Sequence, residues 1–296
     1  MKLRIAVLMG GPSAEHEVSL QSGRMVLEAL QPTGATILPV VIKGAELVLP
    51  SRVDVAFIAL HGTFGEDGQV QRILEARGVA YTGSDAEASE RAFDKVTAKE
   101  CFCEAGIPTP DYGDDVQLPV VVKPARQGSS VGVTIVRNPE ELEAACAKAR
   151  AYDERVLIEK FIRGRELTVG ILGRRELPVV EIETKSGFFG YNEKYTAGMA
   201  KEIVPAPLET AVAARAQRFA RLAHERLGCR DFSRVDLMLD DRGNLFVLEV
   251  NTIPGMTANS LLPKAALAVR LSMTDLCVQM VEMALARRPT EAMTLR

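Results

Sequence analysis

The stretch Arg234-Val-Asp-Leu-Met-Leu-Asp-Asp-Arg-Gly-Asn-Leu-Phe-Val-Leu-Glu-Val-Asn251 has the pattern of a β-hairpin. Two alternating runs flank Asp241-Arg242-Gly243-Asn244, which is a strong turn signal. The apolar residues of the first run are Val235, Leu237 and Leu239, and those predicted to share one face of the return strand are Phe246, Leu248 and Val250. The other face of the hairpin is therefore predicted to be polar.

The polar face carries two acidic residues that the turn brings together. A two-residue turn at Arg242-Gly243 pairs Asp236 with Glu249 and Arg234 with Asn251. Facing carboxylates repel each other, and a divalent cation would offset the repulsion. Carboxylate and amide oxygens are ligands that Mg²⁺ accepts, normally together with phosphates and water. The alternative is a solvated face with incidental charges, and a slip of one residue would separate the two acids.

The composition is that of an ordinary globular protein. The chain has 296 residues, 47% of them hydrophobic and 25% charged, and a net charge of −3. This balance gives no sign of binding to nucleic acid or to a membrane surface. No apolar run reaches the roughly 18 residues of a membrane span. The five cysteines are scattered, without a Cys-x-x-Cys pair, which favours free thiols in a reducing cytoplasm.

The first 85 residues alternate short apolar strands with helical patterns, which predicts an open parallel sheet covered by helices. Ligands of such sheets bind at the carboxyl ends of the strands. Two loops rich in glycine and charge leave predicted strands here, at residues 10–19 and 61–69. Neither has the spacing of a phosphate-binding P-loop or a dinucleotide fingerprint. Glu15 by itself is also explained as an acid at a helix N-terminus.

Three further stretches have the composition of a nucleotide site. Residues 125–132 form a Gly/Ser-rich turn after a strand ending in Lys123, where backbone amides could converge on an anion. A predicted strand at residues 155–160 ends in Glu159-Lys-Phe-Ile-Arg-Gly-Arg-Glu166, whose backbone could pair with an adenine edge and whose Glu166 suits ribose hydroxyls. Residues 184–207 have little periodicity but contain aromatics and a lysine, which favours a lid. Each stretch alone is also explained structurally, as a flexible turn, a strand with a salt bridge and a loop.

In this order, the motifs resemble those of the ATP-grasp superfamily and, within it, of the D-alanine–D-alanine ligases. The resemblance covers nearly the whole chain. The motifs are Gly-Gly-x-Ser-Ala-Glu-x-Glu-Val-Ser at 10–19, His-Gly-x-x-Gly-Glu-Asp-Gly at 61–68, Asp-Lys at 94–95, Lys-Pro at 123–124, Gly-Ser-Ser-Val-Gly at 128–132, Glu-Lys at 159–160, Lys-Tyr at 194–195, Arg-x-Asp at 234–236, Glu-x-Asn-Thr-x-Pro-Gly-Met-Thr at 249–257 and Ser-Leu at 260–261. The first two motifs separate this family from other ATP-grasp enzymes.

The resemblance implies a role for each matching residue. The magnesium ligands would be Asp236, Glu249 and Asn251. The ATP-binding residues would be Lys95, Lys123, Ser129, Glu159, Lys160, Phe161, Ile162, Glu166 and, in the lid, Lys194. Glu15 would receive the ammonium of the first D-alanine, linked through Ser129 to Tyr195, and His61 would line that site. Arg234 and the Gly255 amide would stabilise the tetrahedral oxyanion, and Ser260 and Leu261 would hold the carboxylate of the second D-alanine.

The resemblance also implies the architecture and the biological setting. The fold expected is α/β, and α+β in the C-terminal half: an ATP-grasp fold with a Rossmann-like open parallel sheet at residues 1–85 and two α+β subdomains, 86–163 and 164–296, that hold ATP between them. The expected cofactors are ATP and two Mg²⁺ ions, for which Mn²⁺ can substitute. The enzyme would join two D-alanines through a D-alanyl phosphate for peptidoglycan precursor synthesis, as a cytoplasmic homodimer.

Two alternative functions are weighed against this one. A sister ligase would join D-alanine to D-lactate, but Tyr195 argues against it, because phenylalanine or another lid residue accompanies the hydroxy-acid acceptor in enzymes that the chain resembles. A regulatory nucleotide-binding module would have lost its catalytic groups, whereas the lysines, the metal ligands and Glu15 are all present.

Overall fold

The computed structural model describes residues 2–184 and 200–287. Three β-sheets follow one another along the chain, and helices pack on each of them. The predicted class, with a parallel sheet first and antiparallel sheets after it, is confirmed. No helix of the described ranges is both long and apolar enough to cross a lipid bilayer.

The first sheet is parallel, in the order β2-β1-β3-β4. Its strands are β1 (Arg4–Gly10), β2 (Thr36–Ile42), β3 (Val55–Ile58) and β4 (Ala80–Tyr81), and its connecting helices are α1 (His16–Leu30) and α2 (Gln69–Ala76). Strands β1 and β3 are neighbours, so the loops leaving their carboxyl ends meet at one edge. Ser19 ties these loops together: its hydroxyl accepts from the Gly10 amide at 2.8 Å and donates to the Ala59 carbonyl at 2.7 Å.

Two helices, α3 (Ala86–Phe93) and α4 (Lys95–Glu104), lead to the second sheet. Asp94 separates them in an extended conformation, and its carboxylate accepts from the amides of Val96 and Thr97 at the start of α4. The second sheet is antiparallel, in the order β6-β5-β7, and α5 covers it. Its elements are β5 (Val120–Pro124), β6 (Thr134–Val136), α5 (Leu142–Arg150) and β7 (Val156–Lys160).

The third sheet holds the hairpin. Its strands are β8 (Gly164–Leu172), β9 (Arg175–Glu176), β10 (Val180–Thr184), β11 (Ala200–Ile203), β12 (Phe232–Asp240) and β13 (Leu245–Asn251). The strand order is β11-β10-β8-β12-β13, with β9 paired to β8. The helices of this part are α6 (Thr210–Arg226), α7 (Leu261–Ala268) and α8 (Met273–Ala286). Strand β11 lies in the stretch 184–207 that the sequence predicted to have little periodicity, and helix α7 was not predicted.

The hydrophobic cores do not follow the order of the sheets. Helices α3 and α4 share a core with the third sheet and α6, for example through the fully buried Phe102. Helix α8 returns to the first sheet, where Met280 packs in one cluster with Val7 and Phe57. The domain boundaries at 85/86 and 163/164 remain predictions; both lie between strands of successive sheets.

The hairpin register is confirmed at the acidic pair, but the predicted turn is wrong. Asp236 faces Glu249 and Arg234 faces Asn251. The strands, however, pair Leu239 with Leu245 and Leu237 with Val247, one residue away from the register of a two-residue turn. The connecting loop is longer, because Asp240 pairs with Asn244 through a 2.9 Å backbone hydrogen bond.

A β-bulge at Leu248 restores the register, since the ladder shifts between Asp236 and Leu237. The predicted apolar face of the return strand is consequently wrong too. Leu245, Val247 and Val250 point into the core, whereas Leu248 and Glu249 both line a cavity on the other face. An extra residue in the strand thus lets two consecutive side chains face the same side.

The buried His224 of helix α6 makes the stability of the protein depend on pH in the acid range. His224 is buried, and its Nδ1 lies 2.7 Å from the Ser233 hydroxyl of β12. Burial, together with the nearby charge of Arg221, lowers the pKa of His224 from 6.5 to about 4. The folded protein therefore holds a neutral ring, while the unfolded chain takes up a proton below pH 6.5. The contribution of this neutral ring to the free energy of unfolding is fully present above pH 6.5 and is lost as the pH falls towards 4.

We expect His224→Asn, which keeps a group able to bond Ser233, to reduce the loss of unfolding free energy between pH 6.5 and 4. The wild-type loss from this ring would be about 3 kcal/mol, at 1.36 kcal/mol per pKa unit. Urea titrations at several pH values measure it. His16→Asn, on the partly exposed start of α1, is the control. Equal pH dependence of wild type and His224→Asn would contradict this explanation.

Candidate active site

Two cavities lie side by side between the three sheets. The larger, about 440 Å³, lies between the second and third sheets. The smaller, about 280 Å³, lies where the first sheet's loops meet the hairpin and the start of α7. They share a wall made of Lys95, Gln127, Gly128, Ser129 and Glu249. A group bound in one cavity can therefore reach a group bound in the other.

The larger cavity collects most of the nucleotide-site candidates. The predicted residues that line it are Lys95, Lys123, Ser129, Glu159, Lys160, Phe161, Ile162, Glu166, Asp236 and Glu249. Met238 and Leu248 add apolar surface opposite Phe161 and Ile162. Polar groups at one end and apolar groups at the other suit a ligand with a charged part and a flat apolar part.

The Glu159 side chain, which lines the larger cavity, is paired with two lysines. Its carboxylate is buried and lies between Lys123 Nζ and Lys99 Nζ. The amides of the next two residues are also engaged, with Lys160 donating to Asp111 and Phe161 to Pro119. The amides of Lys160 and Phe161 are therefore not available to a base.

The Gly/Ser-rich turn joins β5 to β6 and reaches the first sheet. Ser129 and Ser130 have φ values of 50° and 57°, so the turn presents consecutive residues in a left-handed conformation. The Ser129 hydroxyl donates to the Glu15 carboxylate. Glu15 precedes α1 but makes no capping hydrogen bond there, so a capping role does not explain its position.

Close packing surrounds the Glu15 carboxylate. A Cβ atom added to Gly128 would lie 2.6 Å from Glu15 Oε2, and one added to Gly62 would lie 2.8 Å from the same atom. The absence of side chains at these two positions therefore makes room for the carboxylate between the first and second sheets.

On the hairpin, cations compensate the facing acids. Arg234 binds Asp236 with both sides of its guanidinium, at 2.9 and 2.8 Å. Lys95 Nζ lies 3.2 Å from Glu249 Oε2. Burial works to lower the pKa of Arg234, but Asp236 and Glu249 outweigh it and raise that pKa, so the guanidinium stays charged. The Thr168 hydroxyl donates to Asp236 Oδ1 at 2.6 Å.

The donor set fits a hard divalent cation. Asp236, Glu249 and Asn251 offer two carboxylates and an amide oxygen from adjacent, paired strands. Within residues 2–184 and 200–287, no three His, Cys, Asp or Glu side chains form a metal-binding group. With Asn251 as the third protein oxygen, a magnesium ion here would still have coordination positions for ligand oxygens and water, as Mg²⁺ prefers.

His61 is committed to the framework of the smaller cavity. Its Nδ1 donates to the Ile253 carbonyl at 3.1 Å, and its Nε2 accepts from the Ser22 hydroxyl at 2.9 Å. The same hydroxyl accepts from the Met256 amide at 3.2 Å. His61 therefore joins α1, its own loop and the segment after the hairpin.

Glu66 is a residue that the sequence reasoning missed, although it belongs to the motif at 61–68. It is buried beside His61, with 3.6 Å between Oε1 and Nδ1, and it lines the smaller cavity. Burial, and secondarily the charge of Glu15, raises the pKa of Glu66. The sequence could have indicated Glu66 through its position in a glycine-rich loop that follows a strand of the parallel sheet.

The floor of the smaller cavity is the start of α7. Ser260 precedes this helix, and its hydroxyl contacts the Thr257 amide at 3.0 Å and the Thr257 hydroxyl at 2.9 Å. A Cβ on Gly255 would lie 2.7 Å from Ser260 Oγ, so the two segments pack closely. Leu261 completes this side. A helix N-terminus facing a cavity favours an anionic group.

Comparisons with known proteins agree with this arrangement. The family model described as D-ala D-ala ligase C-terminus matches residues 92–282, and the model described as D-ala D-ala ligase N-terminus matches 4–49 and 44–84. The chain belongs to the D-alanine–D-alanine ligase family. Among curated proteins, the D-alanine–D-alanine ligase of Methylacidiphilum infernorum is 45% identical over 290 residues, 96% of each chain.

Solved structures of the family have the same fold. The D-alanine–D-alanine ligase of Bacillus anthracis superposes with a TM-score of 0.86 at 34% identity, covering 97% of this chain and 98% of that chain. The VanG D-Ala:D-Ser ligase of Enterococcus faecalis gives a TM-score of 0.87 at 31% identity, covering 96% of this chain and 100% of that chain. The predicted family and fold are thereby confirmed.

The lid residues of the ligase family remain predictions for this chain. Lys194 and Tyr195 lie outside the described residues. The site that the structure describes therefore consists of the two cavities, the hairpin and the turn at 128–130.

Proposed function

We propose that this chain is an ATP-dependent ligase that joins two D-alanine molecules and releases ADP and phosphate. The observation that carries the proposal is the shared wall of the two cavities, where Lys95, Ser129 and Glu249 face both. A ligase of this kind must bring a phosphoryl donor to an amino-acid carboxylate. Family membership supports the substrate class, and a solved Bacillus anthracis ligase in complex with ATP, 35% identical to this chain, supports the nucleotide.

In this proposal the nucleotide occupies the larger cavity. Lys95, Lys123 and the turn around Ser129 would hold the phosphates, with Lys194 from the lid. The backbone of residues 159–162 would recognise adenine, and the amide of Ile162 is the candidate donor because those of Lys160 and Phe161 are engaged. Glu166 would bind the ribose, and Leu248 would pack on the base.

Asp236, Glu249 and Asn251 would hold two Mg²⁺ ions, or Mn²⁺ in their place. Bound magnesium supplies positive charge and orients phosphate oxygens for in-line transfer. In the structure, Lys95 and Arg234 already provide positive charge at the same carboxylates. These two cations only balance the two acids, so the positive charge needed to bind phosphate oxygens at the hairpin would come from the metal.

The two amino acids would share the smaller cavity. Glu15, linked to Ser129 and through it to Tyr195, would receive the ammonium of the first D-alanine, with His61 fixing the surrounding loops. Ser260, Leu261 and the N-terminus of α7 would hold the carboxylate of the second. This arrangement directs the second amine towards the first carboxylate.

The chemistry has two steps. A carboxylate oxygen of the first D-alanine attacks the γ-phosphorus of ATP, and ADP leaves, giving an acyl phosphate. The amine of the second D-alanine, after losing a proton, then attacks the acyl carbon, and phosphate departs as the peptide bond forms. Arg234 and the Gly255 amide would stabilise the oxyanion, a contribution of about 3–4 kcal/mol for one such donor in other enzymes. The lid would exclude water from the acyl phosphate.

The same proposal covers the biological role of the dipeptide and the assembly of the enzyme. The dipeptide would serve peptidoglycan precursor synthesis, and so cell-wall formation and cell shape, in the cytoplasm. The functional unit would be a homodimer, as the resemblance to the ligases implies. Other acceptors are the nearest alternatives, because a similar solved structure is that of a D-Ala:D-Ser ligase and D-lactate ligases form a sister group.

The first test is substrate-dependent phosphate release. We expect phosphate from ATP and Mg²⁺ in the presence of D-alanine and not of L-alanine, because the cavity is chiral and closely packed around Glu15. D-Serine and D-lactate, added in competition, measure the choice of acceptor. If D-alanine gave no release, the proposed function would be excluded, and a preference for another acceptor would replace D-alanine as the second substrate.

The second test concerns the metal. We expect Glu249→Gln to reduce turnover to below about 1% of wild type, because the amide binds Mg²⁺ weakly and no longer compensates Lys95. Without nucleotide, its melting temperature should stay near that of wild type. Glu183→Gln, at the exposed end of β10, is the control. Full turnover in Glu249→Gln would contradict the assignment of this ligand.

The third test concerns Glu15. We expect Gly128→Ala to raise the KM for the first D-alanine by about 10-fold to 100-fold, because the new methyl group displaces the carboxylate by a fraction of an ångström or more. The carboxylate is the end of a flexible side chain, so the melting temperature should change little. Gly44→Ala is the control, since no atom lies within 4 Å of a Cβ there. An unchanged KM would show that Glu15 does not bind this substrate.

A further inference from the structure

Lys99 is a fully buried lysine that neither the motifs nor the proposed chemistry use. It lies on α4, one turn after Lys95, and none of its surface is exposed. Its Nζ lies 2.6 Å from Thr109 Oγ1, 3.0 Å from the Pro110 carbonyl and 2.9 Å from Glu159 Oε2. Buried lysines are rare unless they are paired, so the position needs an explanation.

Glu159 is shared between two lysines. Lys99 approaches its Oε2 from the interior, and Lys123 approaches its Oε1 from the larger cavity. Burial works to raise the pKa of Glu159, but the charges of Lys123 and Lys99 outweigh it and hold that pKa below the usual value. Burial lowers the pKa of Lys99, and the Glu159 carboxylate opposes this. The three side chains together carry one net positive charge.

We propose that Lys99 is a positioning residue for nucleotide binding: it compensates Glu159 from behind, so that the charge of Lys123 remains available to phosphates in the larger cavity. The inference rests on the proposed function, in which Lys123 binds ATP. Without Lys99, the pair of Glu159 and Lys123 would be neutral, and Lys123 would be held by a carboxylate with no second partner.

A connection to the hairpin strengthens the argument. The Thr109 hydroxyl, which accepts a hydrogen bond from Lys99, donates to the Val247 carbonyl at 2.8 Å, and the Val247 amide donates to the Pro108 carbonyl at 2.8 Å. Val247 is the residue before the bulge that turns Leu248 and Glu249 towards the cavity. Lys99 therefore contacts Glu159, which pairs with the phosphate-site residue Lys123. It also contacts Thr109, which is bonded to the strand next to the bulge.

A purely structural role for Lys99 would have different consequences. In that case Lys99 only fixes residues 109–112, where its Nζ also lies 5.2 Å from the centre of the Tyr112 ring. Its loss would then lower stability whatever the charge at residue 159. The two explanations are separated by a variant that restores the net charge without restoring the contacts.

The experiment compares Lys99→Met with the double variant Lys99→Met/Glu159→Gln. The wild-type trio has a net charge of +1, the single variant 0 and the double variant +1 again. We expect the single variant to raise the KM for ATP about tenfold, which corresponds to about 1.4 kcal/mol. The double variant should return to within about threefold of wild type, and the KM for D-alanine should stay unchanged in both.

The outcomes are distinct. Recovery of the KM for ATP in the double variant supports the proposal, even if the single variant does not fold. A double variant as impaired as the single one, or worse, overturns it, as does an unchanged KM for ATP in Lys99→Met. Calorimetric titration with ATP and Mg²⁺ provides the same comparison without turnover. The wild-type assay distinguishes failure of the proposed function from failure of this inference. If the wild type releases no phosphate in response to D-alanine, the proposed function is refuted. If the wild type releases phosphate normally and Lys99→Met has an unchanged KM for ATP, only the role of Lys99 is refuted.

Discussion

The repulsion between Asp236 and Glu249 is the constraint on which the site depends. Two carboxylates facing each other on paired strands are unfavourable without positive charge nearby. Arg234 and Lys95 supply that charge from two different places, the same strand and the start of α4. Lys95 can do so only because Asp94 begins α4 beside the hairpin, and Asp94 is itself held by Arg155 at 2.8 Å. The charge on one hairpin face thus helps to position α4 and, through Asp94, the start of strand β7.

A second principle is that charged groups are shared between neighbours. Glu159 serves two lysines, Lys95 lines both cavities, and Ser129 connects the phosphate-site turn to Glu15. Sharing makes the site compact, but it also makes single substitutions couple to one another. The effect of replacing one of these residues therefore depends on whether its partner is also replaced.

The sequence predicted the family, the class of fold and the residues that line both cavities, because ordered motifs and strand periodicity are local signals. It failed where tertiary packing overrides local pattern. Two consecutive residues, Leu248 and Glu249, face the same side through a bulge, which strict alternation cannot anticipate. The burial of Glu159 between Lys99 and Lys123 depends on residues 36 to 60 positions apart in sequence, and periodicity carries no such information. Helix α7 was not predicted because it is short, contains Pro263 and has apolar residues at almost every position, so it shows no helical period.

The return of α8 to the first sheet has a consequence for how the chain is made. Met280 and Val281, near the C-terminus, pack in the same cluster as Val7 of the first strand. A nascent chain emerging from the ribosome therefore exposes part of the first sheet until α8 has been synthesised. During translation this apolar surface is available to chaperones, and premature termination would leave it uncovered.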